Sequence, residues 1–164
     1  MYLIIWTTIS QVIFGLYLYS TVSYINPAKR IEREVSQAFV AAFDKVDLAY
    51  QKYYQYNALT PSTINDLMPD YVYSPAIKGV SPSWLLGSGT GTSTLSGEYI
   101  CLSATMTRLT LDALQRAAVL YSPQQFFIHS SGCGMTVNDI PLIAENSPGQ
   151  TIYVTYWISP LVFM

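Results

Sequence analysis

No Asp, Glu, Lys or Arg occurs between Met1 and Ala28, and this charge-free start limits what the chain can fold into more than any other feature. The run from Tyr2 to Ile25 reads YLIIWTTISQVIFGLYLYSTVSYI. As a helix of ~24 residues rising ~1.5 Å each it would reach about 36 Å, enough for a bilayer core of ~30 Å. The sequence therefore predicts a single-pass membrane helix. Its apolar surface, for lipid and then for neighbouring helices, would be Leu3, Ile4, Ile5, Trp6, Ile9, Val12, Ile13, Phe14, Leu16, Leu18, Val22 and Ile25. Thr7, Thr8, Ser10, Gln11 and Gly15 lie within the run and suit close helix-to-helix packing. Trp6, Tyr17, Tyr19 and Tyr24 sit towards its two ends, where aromatic rings favour the headgroup zone. A cleaved secretory signal is the alternative, but no basic stretch precedes the run and its length exceeds a usual signal core.

Composition bounds the rest. The chain has 164 residues, so it is predicted to divide into a membrane and assembly half-helix, 1–28, and one globular domain, 29–164. Charged residues make up 11% of it, against roughly 25% in an ordinary soluble domain. Net charge is −2 and the longest basic cluster is Lys29-Arg30, which sets nucleic-acid binding aside. Orientation is contested within the sequence. Lys29, Arg30 and Arg33 follow the helix, which by the positive-inside rule alone would place the domain in the cytoplasm. The two cysteines argue for the opposite side, so the expectation is an inner-membrane protein with a periplasmic or extracellular domain.

Beyond Asn26-Pro27 the pattern becomes amphipathic. Ile31, Val35, Phe39, Phe43, Val46 and Tyr50 recur at three and four residues, which predicts a helix over 29–56 packing that stripe on the remainder of the domain. Arg33, Glu34, Gln37, Asp44, Asp47 and Gln51 make the opposite face. Thr60-Pro61 reads as the start of a short helix to about Met68, and 69–97 as loop-rich, its regularity broken by Pro69, Pro75 and Pro82. The glycines of GSGTGTSTLSG at 87–97 are followed by no Lys, so they do not make a phosphate loop. Tyr99–Met106, Gln125–His129 and Thr151–Ile158 have strand composition. Between the first two, Thr107 or Thr110 opens a helix with Leu109, Ala113, Leu114, Ala117 and Leu120 on one side. The fold class predicted is α+β, a long helix on a small antiparallel sheet.

Few residues can carry chemistry. Cys101 and Cys133 lie too far apart for a CxxC motif and lack zinc partners, and an even count in a small domain predicts a disulfide. His129 is the only histidine and sits in an apolar strand, a structural position. Asp139 and Glu145 are too few for a calcium site. No nucleophile with a base and an orienting acid is visible, so neither enzymatic activity nor any cofactor or metal is expected.

In layout the whole chain resembles type IV pilins and pseudopilins. The features that match are the MYLIIW start at the hydrophobic run, the continuation AFVAAFDKVDLAYQKYYQYNALTPSTINDL, and a cysteine pair that would bound a C-terminal loop. A helix inserted between strands, Leu109–Leu120, looks more like the type IVb branch. The resemblance implies a structural subunit whose partners are other pilin or pseudopilin subunits, contacted through the N-terminal helix, with membrane lipid as its surroundings before assembly. Where the family usually has Glu at the fifth mature position this sequence has Ile5, which points towards a minor or tip subunit. The alternative expectation is a membrane-anchored accessory or scaffold protein of a secretion or conjugation apparatus that builds no filament.

Overall fold

The computed structural model describes residues 8–17, 27–89 and 97–158. Its elements among these residues are three α-helices and one four-stranded sheet. Residues 8–17 are helical (α1), and a 31-residue helix, α2, spans Pro27–Asn57. Proline opens α2 where its missing N–H costs nothing, because the first N–H groups of a helix have no partner within it. The stripe from Val35 through Phe39, Ala42, Phe43, Val46 and Ala49 to Tyr50 is buried. At the far end Ala58 takes a left-handed conformation (φ 53°), its N–H bonds the Tyr54 carbonyl at 2.8 Å, and the helix stops. Ile31 is 41% exposed. The turn that carries it is held instead by charges, Lys29 to Glu32 at 3.1 Å and Arg30 to Glu34 at 2.9 Å, and apolar cover begins only at Val35.

The membrane expectation has to be corrected. Among the described residues no helix is long and apolar enough to cross a membrane, which conflicts with an inner-membrane single-pass protein. Residues 8–17 would rise about 15 Å as helix, half of a bilayer core of ~30 Å. α2 cannot extend that span, because its first eight residues include Lys29, Arg30, Glu32, Arg33 and Glu34. Leu3, Ile4, Ile5, Trp6, Leu18, Val22 and Ile25 lie outside the described residues.

Two further expectations change. The short helix does not start at Thr60-Pro61. A single 3₁₀ turn, Ile64–Asp66, forms after Thr63, because the Asp66 carboxylate accepts the N–H groups of Ser62 and Thr63 at 2.7 and 2.8 Å. The segment 69–97 is not all loop either, since Ser83–Ser88 is a strand, β1. It alternates, with Trp84 and Leu86 buried and Ser83 and Leu85 exposed.

β2 (Glu98–Met106), β3 (Phe126–His129) and β4 (Gln150–Trp157) complete the sheet in the order β1-β2-β4-β3, every pairing antiparallel. The ladder places Leu86, Ile100, Tyr156 and Phe126 side by side across it, and Leu85, Cys101, Thr155 and Phe127 in the next row. Strand side chains alternate, so these two rows belong to opposite faces. The first face meets α2. Phe43 is the hub, edge-on to Trp84 and to Phe126 with ring centroids 5.2 Å away in both cases. Burying a Phe contributes roughly 1.5–3 kcal/mol, and such edge-to-face pairs add about 0.5–1.5 kcal/mol.

Helix α3 (Arg108–Ala118) follows β2 directly, with Thr107 at its N-cap position, and packs against α2 through Leu111, Ala113, Leu114 and Ala117. Leu120 is exposed, because the helix has ended and a turn closed by its own N–H on the Ala117 carbonyl (3.0 Å) carries it outward. An ion pair joins the two helices, Glu32 accepting from Arg116 at 3.0 Å, and Arg108 of α3 reaches Glu145 in the loop before β4 at 3.3 Å.

Candidate functional site

Among the described residues no helix lies over the face of the sheet turned away from α2, yet Cys101, Thr155, Trp157 and Phe127 on that face are buried. What covers them is the segment after β3, tied down by a disulfide between Cys101 in the middle of β2 and Cys133, with a Cα–Cα distance of 5.9 Å. The two cysteines are 32 residues apart in sequence. In the chain-entropy account, closing such a loop stabilises the fold by about 3.7 kcal/mol.

Three contacts set the segment beyond the covalent bond. Gly134 donates its N–H to Thr155 Oγ1 at 3.0 Å, and the Trp157 indole donates to the Met135 carbonyl at 3.1 Å. Gly134 has φ 78°, and a Cβ there would meet the Tyr99 hydroxyl at 3.0 Å. Across the ladder Gly87 lies opposite Tyr99 and is closer still: a Cβ would fall 2.4 Å from that ring. Two glycines thus make room for one tyrosine, which in turn packs edge-on against Trp157 with centroids 5.0 Å apart.

The chain then turns along the outer side of β3. Asn138 Oδ1 accepts the Ile128 N–H at 2.8 Å, Asp139 donates its N–H to the Ile128 carbonyl at 2.9 Å, and Ser130 donates to the Asp139 carboxylate at 2.7 Å. This covers an edge that would otherwise offer unpaired backbone groups. Val137, Ile140 and Leu142 stand exposed on the same segment.

His129 lies here too, with Ser131 Oγ 2.8 Å and Asp139 Oδ2 4.0 Å away. Both approach the same nitrogen, Nδ1, whereas a nucleophile and an orienting acid must engage opposite nitrogens of the ring. The arrangement is a local turn closure, with Ser131 N also donating to Nδ1 at 3.1 Å. Among the described residues no group of three or more His, Cys, Asp or Glu is placed to hold a metal ion. Asp139 and Glu145, considered in the sequence as calcium ligands, are engaged separately, by Ser130 and by Arg108.

The assembly residues that are described lie on α1. Ile9, Val12, Ile13, Phe14 and Leu16 are 48 to 64% exposed. Val35, Phe39, Phe43, Val46 and Tyr50, by contrast, are core residues of the domain.

Sequence reasoning missed a polar group beneath α2. The Tyr121 hydroxyl donates to Asp44 Oδ1 at 3.1 Å, and burial together with the Asp44 charge pushes its pKa well above the ordinary tyrosine value. Tyr156 is raised to about 12 by burial, with Asp47 and Asp44 adding. Asp47 is itself raised, chiefly by burial, against a lowering hydrogen bond from Gln51. Only the i, i+3 spacing of the two aspartates was readable in advance. Tyr50 likewise donates a hydrogen bond to Glu98, whose pKa burial raises.

Comparison with protein-family models, with curated proteins and with solved structures finds no match to this chain.

Proposed function

We propose that this protein is a structural subunit, a minor pilin or pseudopilin of a type IV pilus or related secretion filament, joined to its neighbours through the apolar N-terminal helix. One observation carries the reading: a helical segment whose large apolar side chains, Ile9, Val12, Ile13, Phe14 and Leu16, are about half to two-thirds exposed. Apolar area left open to water costs free energy that packing against like helices recovers, at ~25 cal/mol per Å² removed from water. The rest of the chain supports it. A long helix over an antiparallel sheet, closed on its other face by a disulfide-bounded segment, matches the layout that the sequence resembles. The disulfide also suits a compartment where cystine persists.

The test is a double substitution, Ile13→Lys with Phe14→Lys. The variant is expected to disappear from the fraction of sheared filaments while its domain melts at the parent temperature. Recovery of the variant in filaments at the parent level, or a parent protein found only as a free monomer, would refute the reading. The monomer result would favour the non-filamentous accessory role.

A further inference from the structure

A cavity of about 300 Å³ lies at the end of the sheet where α2 finishes, bounded by Tyr50, Ser62, Leu86, Ser88, Glu98 and Tyr99 among others. At ~30 Å³ per liquid water it has room for about ten waters, or for a short alkyl chain with a polar head. Its chemistry is one-sided. Among the described residues Glu98 is the single carboxylate in the lining, and no Lys, Arg or His lines it. Among the described residues Glu98 makes no ion pair, whereas Glu32 is held by both Lys29 and Arg116. Among the described residues its one side-chain hydrogen bond comes from the Tyr50 hydroxyl to Oε2, and a carboxylate has acceptor capacity on both oxygens. The remaining lining divides in two. Tyr50, Ser62, Ser88 and Tyr99 bring hydroxyls, which can accept from a cationic donor, while Pro61, Leu86 and Ile158 bring apolar surface. Tyr99 is fixed in place between Gly87 and Gly134, so this wall of the cavity is formed before any ligand arrives.

We propose that the cavity is a binding site for a primary ammonium group on an aliphatic stem. Glu98 pairs with the cation, the hydroxyls take its other N–H donors, and Leu86 and Pro61 pack against the stem. A neutral ligand would leave the carboxylate without a counter-charge. An anion would face it directly, and a hydrated divalent ion would find too few carboxylates. A free alkylamine and a lysine side chain of another protein share this chemistry. The inference does not depend on the filament reading, since it concerns the domain alone.

The experiment is an NMR titration of the whole protein, following the amides of Ser88 and Glu98. The probes are n-butylammonium chloride and, separately, Nα-acetyl-lysine N-methylamide, each against sodium chloride at equal ionic strength. Saturable shifts with both probes support the site with a protein lysine as its ligand, and saturation with butylammonium alone supports a free amine. Glu98→Gln keeps an acceptor for Tyr50 but removes the charge, and should weaken binding about tenfold or more, as loss of a charge-assisted contact does. Ser62→Phe narrows the cavity from an exposed position and should weaken it too, should Glu98→Gln disturb the fold. Shifts that sodium chloride reproduces, no saturation with either amine, or unchanged affinity in both variants would overturn the proposal.

Discussion

The two faces of the sheet are covered by different means. Towards α2, Trp84, Leu86, Ile100, Leu102, Phe126, Ile128, Ile152 and Val154 meet a continuous helical stripe, and Phe43 touches several rings at once. On the opposite face Cys101, Thr155 and Trp157 lie beneath a short segment held by one disulfide, one hydroxyl and one indole. The first face is stabilised by area, spread over many side chains, so its contributions are large and shared. The second is stabilised by a few directed bonds, which fix where the covering chain lies and carry most of its stability individually. With α2 over one face of the sheet and α3 packed on α2, the other face is closed by the disulfide-bounded segment, which does the work of a second layer.

That contrast can be broken first at its strongest point. Phe43→Ala removes the ring at the hub and leaves a cavity among Trp84, Phe126 and Tyr156, so it should cost about 4 kcal/mol in denaturant unfolding. A loss below ~2 kcal/mol would mean that the helix-covered face is less tightly packed than described. Replacing both cysteines, Cys101→Ala with Cys133→Ala, should cost about 3 kcal/mol and make the segment after β3 the first site of proteolysis. Equal protease resistance would show that the hydroxyl and indole contacts hold the segment unaided. Gly134→Ala tests those contacts with the disulfide intact. The positive φ and the approach to Tyr99 should together cost about 1–2 kcal/mol, read as a fall in melting temperature.

The smallest effect is electrostatic and belongs to the helix side. Burial raises the Asp47 pKa in the folded protein, so over the acid range above its ordinary value of 3.8 the native state binds more protons than the unfolded chain. Stability from this group therefore falls as pH rises through that window and stays lower at neutral pH. Asp47→Asn keeps an acceptor for Gln51 and should raise the melting temperature at pH 7, with the gain shrinking below about pH 4. A gain independent of pH would assign the effect to something other than the charge.

How far these features could be read from residues differs between the faces for the same reason. The α2 stripe is periodic over many turns, so Val35 through Tyr50 identified the helix and its buried side, and the strands β2, β3 and β4 were legible from their composition. β1 was not. Six residues after a proline, with only Trp84 and Leu86 to mark the alternation, are too few for a periodic signal. The stripes also ran past the domain at their ends, at Ile31 and Leu120, where ion pairs and a turn replace apolar cover. Of the clamp, the cysteine pair could be anticipated from the residue count. The Trp157 to Met135 bond and the placing of Tyr99 between Gly87 and Gly134 could not, because they join residues far apart in sequence. Glu98 meets Tyr50 only once the sheet lies under the helix.

The measurement that bears most directly on the filament account is crosslinking between subunits from the exposed apolar helix. Ile13→Cys places a thiol on α1, and Val119→Cys places one at a still more exposed position beyond α3. A short bis-maleimide applied to assembled material should give a ladder of chain multiples from the first variant and monomer from the second. Monomer from both, or ladders of equal strength from both, would contradict assembly through the N-terminal helix.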